Sequence, residues 1–89
     1  MYTFEILPSL QKILNKLAKK DKKMYEQVLD KITEIIQSED VEHYKNLRYA
    51  FKELKRVHSG HYVLIFKFLK TENKIVFEDF DHHDNIYGI

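Results

Sequence analysis

Residues 56–66 form the run Arg-Val-His-Ser-Gly-His-Tyr-Val-Leu-Ile-Phe, in which two β-prone segments flank the dipeptide Ser59-Gly60. A glycine-containing dipeptide between two such segments is typical of a tight hairpin turn. We therefore predict a strand over residues 51–58, a turn at Ser59-Gly60 and a second strand over residues 62–69.

The rest of the chain extends this hairpin in both directions. Downstream, residues 71–74 predict another turn and residues 75–80 a third strand, so the three strands form an antiparallel meander. Upstream, residues 2–6 alternate apolar and polar and predict a first strand. Apolar residues at helical spacing over 10–18 and 25–36 predict two helices. The predicted fold is α+β, in the order β-α-α-β-β-β, with a helical hairpin packed on one face of a twisted, mostly antiparallel sheet.

Individual residues predict where the elements begin and end. Pro8 ends the first strand, Ser9 is the predicted N-cap of the first helix, and Asp21 that of the second. Residues 38–44 are polar and aperiodic, and they predict a connecting loop. Residues 82–89 are too few for a further element.

Length and composition restrict the classes of protein to which this chain can belong. The 89 residues, 44% of them hydrophobic, fit one domain over residues 1–89. The absence of cysteine excludes disulfides, thiol catalysis and cysteine-ligated zinc. Met1 leads directly into Tyr-Thr-Phe-Glu without the pattern of a secretory leader, and the longest apolar run, residues 62–66, is far shorter than a membrane span. We expect a cytoplasmic protein.

The net charge of +1 conceals a basic central third. Residues 43–70 contain five lysines and two arginines against one glutamate, which suits either an anion-binding face or ordinary solvated surface. Tyr44, Tyr49 and Phe51 interleave with these cations, and such a pattern favours single-stranded RNA, although the same rings also suit the core. The cations considered for RNA binding are Lys45, Arg48, Lys52 and Lys55.

Arg56 and His58 are two positions apart on a predicted strand, so both side chains project from the same face while Val57 points into the core. Arg56 could neutralise a phosphate, and His58 could contact or protonate an RNA oxygen. A polar solvent-facing strand is the alternative interpretation.

His82 and His83 form the densest candidate site, flanked by Asp81 and Asp84. Adjacent histidines in an extended chain point to opposite sides, so we expect no metal ligation and no cofactor. Acid–base chemistry suits imidazole better, and either aspartate could fix a tautomer. Surface histidines at the chain end are the alternative.

Phosphodiester cleavage is possible with the residue types that this chain offers. RNA supplies its own nucleophile in the 2′-OH, so a protein needs only a base, a charge clamp on the phosphate and an acid for the 5′-oxygen. Histidine, arginine, lysine and tyrosine are sufficient for these tasks without a metal.

The chain resembles the RelE/ParE superfamily of type II toxin–antitoxin toxins. The resemblance rests on the order of elements, on the run over residues 56–66, and on the ending His82-His83-Asp-Asn-Ile-Tyr87, and it spans about residues 2–88. Within the superfamily, the chain resembles the archaeal-type RelE-like proteins and the YafQ branch, which place a histidine where His83 stands and an aromatic where Tyr87 stands. It implies a ribosome-dependent mRNA endoribonuclease that inhibits translation, silenced by a RelB-like antitoxin in a hetero-oligomer, with no membrane partner.

The same resemblance implies roles for particular residues. Arg56 matches a phosphate-contacting position, His83 the acid/base position, and Tyr87 the terminal aromatic that orients RNA or assists proton transfer. One departure is that RelE proper has an arginine after the Gly-x-Tyr run, where this chain has Val63. His58, together with the RNA-binding candidates His61 and His82, could compensate.

Two functions remain open at this stage. The first is the endoribonuclease, for which we predict that Arg56, His58 and His83 converge on one concave face. The second is a non-catalytic module, either a ParE-like gyrase inhibitor or a decayed toxin that only binds its antitoxin, because a shared fold does not settle function.

Overall fold

The computed structural model describes residues 2–48 and 51–87. Its elements in chain order are β1 (Thr3–Ile6), α1 (Pro8–Lys20), α2 (Lys22–Ile36), β2 (Leu54–Ser59), β3 (Tyr62–Leu69), β4 (Lys74–His82) and α3 (His83–Ile86). The strands form one sheet in the order β1-β4-β3-β2, in which β1 is parallel to β4 and the other neighbours are antiparallel. The predicted α+β class and order of elements are confirmed. The helical turn α3 is an addition, since the sequence predicts no element there.

The helical hairpin begins two residues earlier than the capping pattern predicts. Leu7 is the N-cap of α1 and Pro8 its first residue, a position where the N–H that proline lacks has no intrahelical partner anyway. The prediction that Ser9 caps α1 is therefore wrong. The prediction for α2 is confirmed, because Asp21 Oδ1 accepts a hydrogen bond from the backbone N–H of Met24 at 3.1 Å.

Both apolar stripes pack on the same face of the sheet. Their fully buried members are Leu10 and Leu14 on α1 and Val28, Ile32 and Ile35 on α2. These contact a layer of strand residues, Leu64, Phe66, Ile75, Phe77 and Phe80. Burying one such side chain stabilises a fold by about 1.5–3 kcal/mol. In the described part of the chain no helix is both long and apolar enough to cross a membrane.

The other side of the sheet is called the helix-free face because neither α1 nor α2 packs on it, and it is defined by alternation along β3. Leu64 belongs to the core beneath the helices, so its neighbours Val63 and Ile65 point the opposite way. Arg56 lies directly across from Ile65, and His58 directly across from Val63. Residues opposite each other in an antiparallel pair share a face, so Arg56 and His58 both lie on the helix-free face.

A β-bulge in β4 adds acidic residues to that face. Phe66 pairs with Phe77 and Ile65 pairs with Asp79, which leaves Glu78 as the extra residue on β4. A bulge of this kind shifts the alternation by one position. The next core residue of β4 after Phe77 is therefore Phe80, three positions later instead of two. Asp79 and Asp81 lie opposite Ile65 and Val63, so both are on the helix-free face.

The first strand of the predicted hairpin is shorter than expected. The prediction that it begins at Phe51 is wrong, because the N–H of Phe51 donates to Arg48 O at 3.2 Å and closes a turn there. The strand begins at Leu54, whose carbonyl accepts from Leu47 N at 2.8 Å. The hairpin turn lies one residue later than predicted, and Gly60 adopts φ 63°, a conformation that glycine tolerates without strain.

Candidate active site

A row of side chains crosses the helix-free face from β2 to the end of the described chain. Arg56 Nη1 lies 3.4 Å from His58 Nδ1. On the other side of the same imidazole, the Tyr87 hydroxyl lies 3.5 Å from His58 Nε2, and the two ring centroids are 6.3 Å apart. The structure therefore brings these three sequence-predicted residues into contact.

The donors in this row fix the tautomer of His58. A guanidinium can only donate, so Nδ1 of His58 must accept from Arg56. The neutral imidazole then carries its proton on Nε2, and this N–H faces the Tyr87 oxygen. Consequently Tyr87 does not use its own hydroxyl proton on His58 and can donate it elsewhere.

The helical turn α3 places Tyr87 beside His58. The chain leaves β4 at His82, whose Nδ1 accepts from the N–H of Asp84 at 3.2 Å and so caps α3. The backbone N–H of His83 donates to His61 O at 2.9 Å, and that of Tyr87 donates to His83 O at 2.9 Å. These bonds hold the Tyr87 ring 6.5 Å from the His83 ring.

His83 has a carboxylate partner in Asp84. Its Nδ1 lies 3.0 Å from Asp84 Oδ1, and its side chain is 39% exposed. A proton held on Nδ1 by this carboxylate leaves the lone pair on Nε2, which is the arrangement of a general base. The sequence left Asp81 and Asp84 equally plausible for this task. The structure favours Asp84, because Asp81 Oδ1 accepts from Asn85 Nδ2 at 3.0 Å instead.

The two adjacent histidines lie side by side. The expectation that His82 and His83 point to opposite sides is wrong, because the extended chain ends between them. Their ring centroids are 4.7 Å apart, and the ring planes are stacked with an angle of 28° between them. His61, another RNA-binding candidate, stacks 6.1 Å from His82. In the described ranges, His82, His83 and Asp84 form a group whose potential ligand atoms all lie within 4.8 Å of one another. The geometric reason for expecting no metal site therefore fails.

Lys55 does not belong to an exposed basic surface, and that prediction is wrong. The residue is only 7% exposed and lies opposite Phe66, on the side of the sheet that the helices cover. Its Nζ donates to Tyr44 O at 3.0 Å, Asn46 Oδ1 at 3.1 Å and Glu42 O at 3.3 Å. The ammonium therefore anchors the preceding loop to β2.

The other predicted cations are exposed and lie at different distances from the row. The backbone carbonyl of Lys45 accepts from Arg56 N at 2.9 Å, so the Lys45 backbone lies beside β2 at Arg56. Arg48 and Lys52 are also exposed. They precede β2, at the opposite end of that strand from His58.

The aromatic residues near these cations divide between core and surface. Tyr44 packs edge-on against Phe66 and donates its hydroxyl to Glu34 Oε2 at 2.8 Å. Burial, reinforced by Glu34, raises the pKa of Tyr44 to about 12. Phe51 is 62% exposed. Tyr49 lies outside the described residues.

The position that departs from the RelE pattern lies at the centre of the candidate site. Val63 pairs with His58 on one side and with Asp81 on the other, and it is fully buried. Arg56 is thus the cation nearest to the imidazole of His58, at hydrogen-bond distance. Within the described ranges no carboxylate pairs with its guanidinium, so its charge remains available for an anion.

Comparison with known proteins gives relatives and fold neighbours. No family model matches the chain. It is 50% identical over 88 residues, 98% of this chain and 92% of the relative, to a Methanocaldococcus jannaschii protein named "Putative toxin RelE4". It is also 43% identical to an uncharacterized protein of Methanosarcina mazei, over 98% of this chain and all of that one.

Solved structures share the fold at low sequence identity. Escherichia coli YafQ matches with a TM-score of 0.75 and 18% identity over 99% of this chain and 100% of that one. The RelBE2 toxin–antitoxin complex of Mycobacterium tuberculosis matches with a TM-score of 0.75 and 20% identity, over 91% of this chain and 96% of the matched chain. The identity to the M. jannaschii protein over nearly both full lengths shows the family. This chain belongs to the RelE family, the toxins of type II toxin–antitoxin systems.

Proposed function

We propose that residues 1–89 act as one toxin domain that cleaves mRNA in the ribosomal A site, in the cytoplasm, without a catalytic metal. The observation that carries the proposal is the continuous row Arg56–His58–Tyr87, with His83 beside it, on the sheet face opposite α1 and α2. This row contains a charge clamp, a proton donor and a base, which are the groups that 2′-OH chemistry requires.

Arg56 holds the scissile phosphate. Its guanidinium is half-buried, has no carboxylate partner among the described residues and can donate to two phosphate oxygens at once. In the transition state the phosphorane carries extra negative charge, so a fixed cation at this point stabilises it more than the ground state.

His83 removes the proton of the 2′-OH. Asp84 holds the Nδ1 proton at 3.0 Å, so Nε2 accepts the substrate proton. The 2′-oxygen then forms a bond to phosphorus while the bond from phosphorus to the 5′-oxygen breaks. The upstream fragment ends in a 2′,3′-cyclic phosphate.

Tyr87 donates the proton that the leaving 5′-oxygen needs. Its hydroxyl proton is not used by His58, and the Nε2 proton of His58 stabilises the phenolate as it develops. The Tyr87 side chain is 42% exposed, so it can reach an RNA strand laid on the helix-free face. The downstream fragment then begins with a 5′-OH.

The family and the exposed charges support the proposed partners. The mycobacterial fold neighbour was solved as a toxin–antitoxin complex, and we propose that a RelB-like antitoxin binds this chain in a hetero-oligomer. Lys45, Arg48 and Lys52 are exposed and suit either the phosphates of mRNA and ribosome or acidic antitoxin side chains.

The rival function is a decayed toxin, or a ParE-like gyrase inhibitor, that makes no cut. The observation in its favour is Val63, a buried apolar side chain in the centre of the site.

An assay for mRNA cleavage distinguishes the endoribonuclease from this rival. The purified chain is added to ribosomes programmed with a defined mRNA, and cuts are mapped by primer extension. We expect cuts within the A-site codon, lost in His83→Ala and retained in the control His43→Ala, which alters a histidine outside the row. An uncut message with every variant would contradict the proposal.

A further inference from the structure

We propose that His82, His83 and Asp84, called the HHD cluster below, form a binding site for a zinc-class divalent cation, and that the bound ion inhibits the toxin. The binding part stands on the geometry of the cluster alone. The inhibitory part rests on the proposed function, because it requires His83 to act as a base.

The Asp84 carboxylate lies between the two imidazoles. Its Oδ1 is 3.0 Å from Nδ1 of His83, and its Oδ2 is 3.6 Å from Nδ1 of His82. Two ligand atoms on a tetrahedral zinc ion, each bound at about 2.0–2.1 Å, are separated by about 3.3 Å. The nitrogen–oxygen distances of the cluster bracket that value before any ion is bound.

The backbone holds the cluster in this arrangement. The strand-to-helix transition turns His82 and His83 to the same side, and the His83 N–H is fixed on His61 O at 2.9 Å. The His61 ring centroid lies 6.4 Å from that of His83, so His61 or water can fill the fourth position. When His82 Nδ1 binds the ion, it gives up its 3.2 Å hydrogen bond from Asp84 N.

The ligand types select the ion. Two imidazoles and one carboxylate favour zinc, nickel or copper, whereas magnesium prefers oxygen ligands and octahedral geometry. The side chains are 37%, 39% and 58% exposed for His82, His83 and Asp84, so an ion can reach them. An ion at this site occupies Nδ1 of His83 and takes the carboxylate that otherwise orients its ring. The imidazole can then no longer cycle a proton.

Isothermal titration calorimetry with zinc chloride, on a chain without a histidine tag, tests the binding part directly. We expect one zinc ion per chain and no binding of magnesium. His82→Asn keeps a side chain that can cap α3, and Asp84→Asn keeps the shape of the carboxylate; each should weaken zinc binding more than about 10-fold, a loss at least as large as outer-shell changes cause. His43→Ala, which removes a histidine outside the cluster, should bind zinc like the unaltered chain.

Absence of zinc binding, equal affinity in all three variants, or equal binding of magnesium would overturn the site. The inhibitory part is tested in the ribosome assay, where stoichiometric zinc should suppress cleavage at least about 10-fold in the unaltered chain and leave His82→Asn less affected. A chain that binds zinc but cleaves equally well with it would overturn the inhibition and leave the site intact. Failure of the proposed function is distinguishable from failure of the zinc site. It would appear as absence of cleavage in zinc-free buffer, while zinc binding measured by calorimetry would be unchanged.

Discussion

The hydroxyl of Tyr87 lies 3.5 Å from Nε2 of His58, which joins the last turn of the described chain to a strand 29 residues earlier. For a neutral His58, Arg56 on the far side of the imidazole assigns the direction of this contact, because arginine cannot accept a hydrogen bond. In the proposed mechanism, the contact connects the charge clamp on β2 to the proton donor on the tail.

The hydroxyl of Tyr87 can be separated from its ring by substitution. We expect Tyr87→Phe to reduce mRNA cleavage about 10²–10⁴-fold, the usual contribution of a general acid, while Tyr87→Ala also loses stacking on RNA. Because the side chain is 42% exposed, both variants should keep the melting temperature and antitoxin affinity of the unaltered chain. Primer extension on programmed ribosomes measures mRNA cleavage, and calorimetry measures the melting temperature and the antitoxin affinity. Cleavage by Tyr87→Phe at the unaltered rate would remove the hydroxyl from the mechanism.

The guanidinium of Arg56 should act mainly in the transition state. We expect Arg56→Gln to lower the cleavage rate on saturating ribosome complexes about 10²–10³-fold, as loss of one preorganised donor does. Arg48→Gln is the matched control, since Arg48 is exposed and precedes the strand. Single-turnover kinetics measures both. If the control loses as much rate as Arg56→Gln, the clamp is not localised beside His58.

Lys55 should matter for stability and not for RNA. Lys55→Met removes the donor that satisfies Glu42 O, Tyr44 O and Asn46 Oδ1, and losing these part-buried hydrogen bonds to a charged donor costs about 1–3 kcal/mol. Lys52→Met, at an exposed position, should change the free energy of unfolding by less than about 0.5 kcal/mol. Urea denaturation gives both values, and equal stability of the two variants would contradict the anchoring role of Lys55.

Burial of Tyr44, reinforced by its hydrogen bond to Glu34, makes stability depend on alkaline pH. The folded-state pKa of Tyr44 is raised to about 12, above the usual value of about 10, so folding retains the phenol proton more tightly than the unfolded chain does. This contribution is therefore fully present below pH 10 and is lost as the pH rises toward 12.

Tyr44→Phe should accordingly lower the free energy of unfolding by about 1 kcal/mol at pH 7, and the difference from the unaltered chain should shrink above pH 10. Denaturant titrations at pH 7, 9 and 11 measure it. A difference that stays constant across this range would show that Tyr44 does not titrate differently in the two states.

The sequence predicted best those elements that a single local pattern determines. The bounds of β3 are predicted without error because residues 62–69 form one nearly continuous apolar and aromatic run. Asp21 was identifiable as a cap because its side chain is chemically suited to the N–H groups of the next turn. The pairing of Arg56 with His58 follows from strand alternation alone.

The errors concern features that depend on contacts distant in sequence or on an unusual cap. A lysine is usually a surface residue, so the sequence predicts Lys55 to be exposed. It is a buried anchor only because the loop over residues 42–46 docks onto β2. The helical turn α3 is capped by the ring nitrogen of His82, a residue outside the usual capping set. One local signal was present, since Asp81 and Asn85 are four positions apart and hydrogen-bond across the turn.

The central claim is that the RNA's own 2′-OH is the nucleophile and that the protein supplies only proton transfer and charge. The most direct measurement uses toxin stripped of metal with a chelator, then added to zinc-free ribosomes programmed with mRNA carrying either a 2′-OH or a 2′-deoxy substitution at the scissile nucleotide. We expect the first message to yield 2′,3′-cyclic or 3′-phosphate and 5′-OH ends and the second to remain intact. Cleavage of the deoxy-substituted message, or products with 5′-phosphate ends, would contradict the account.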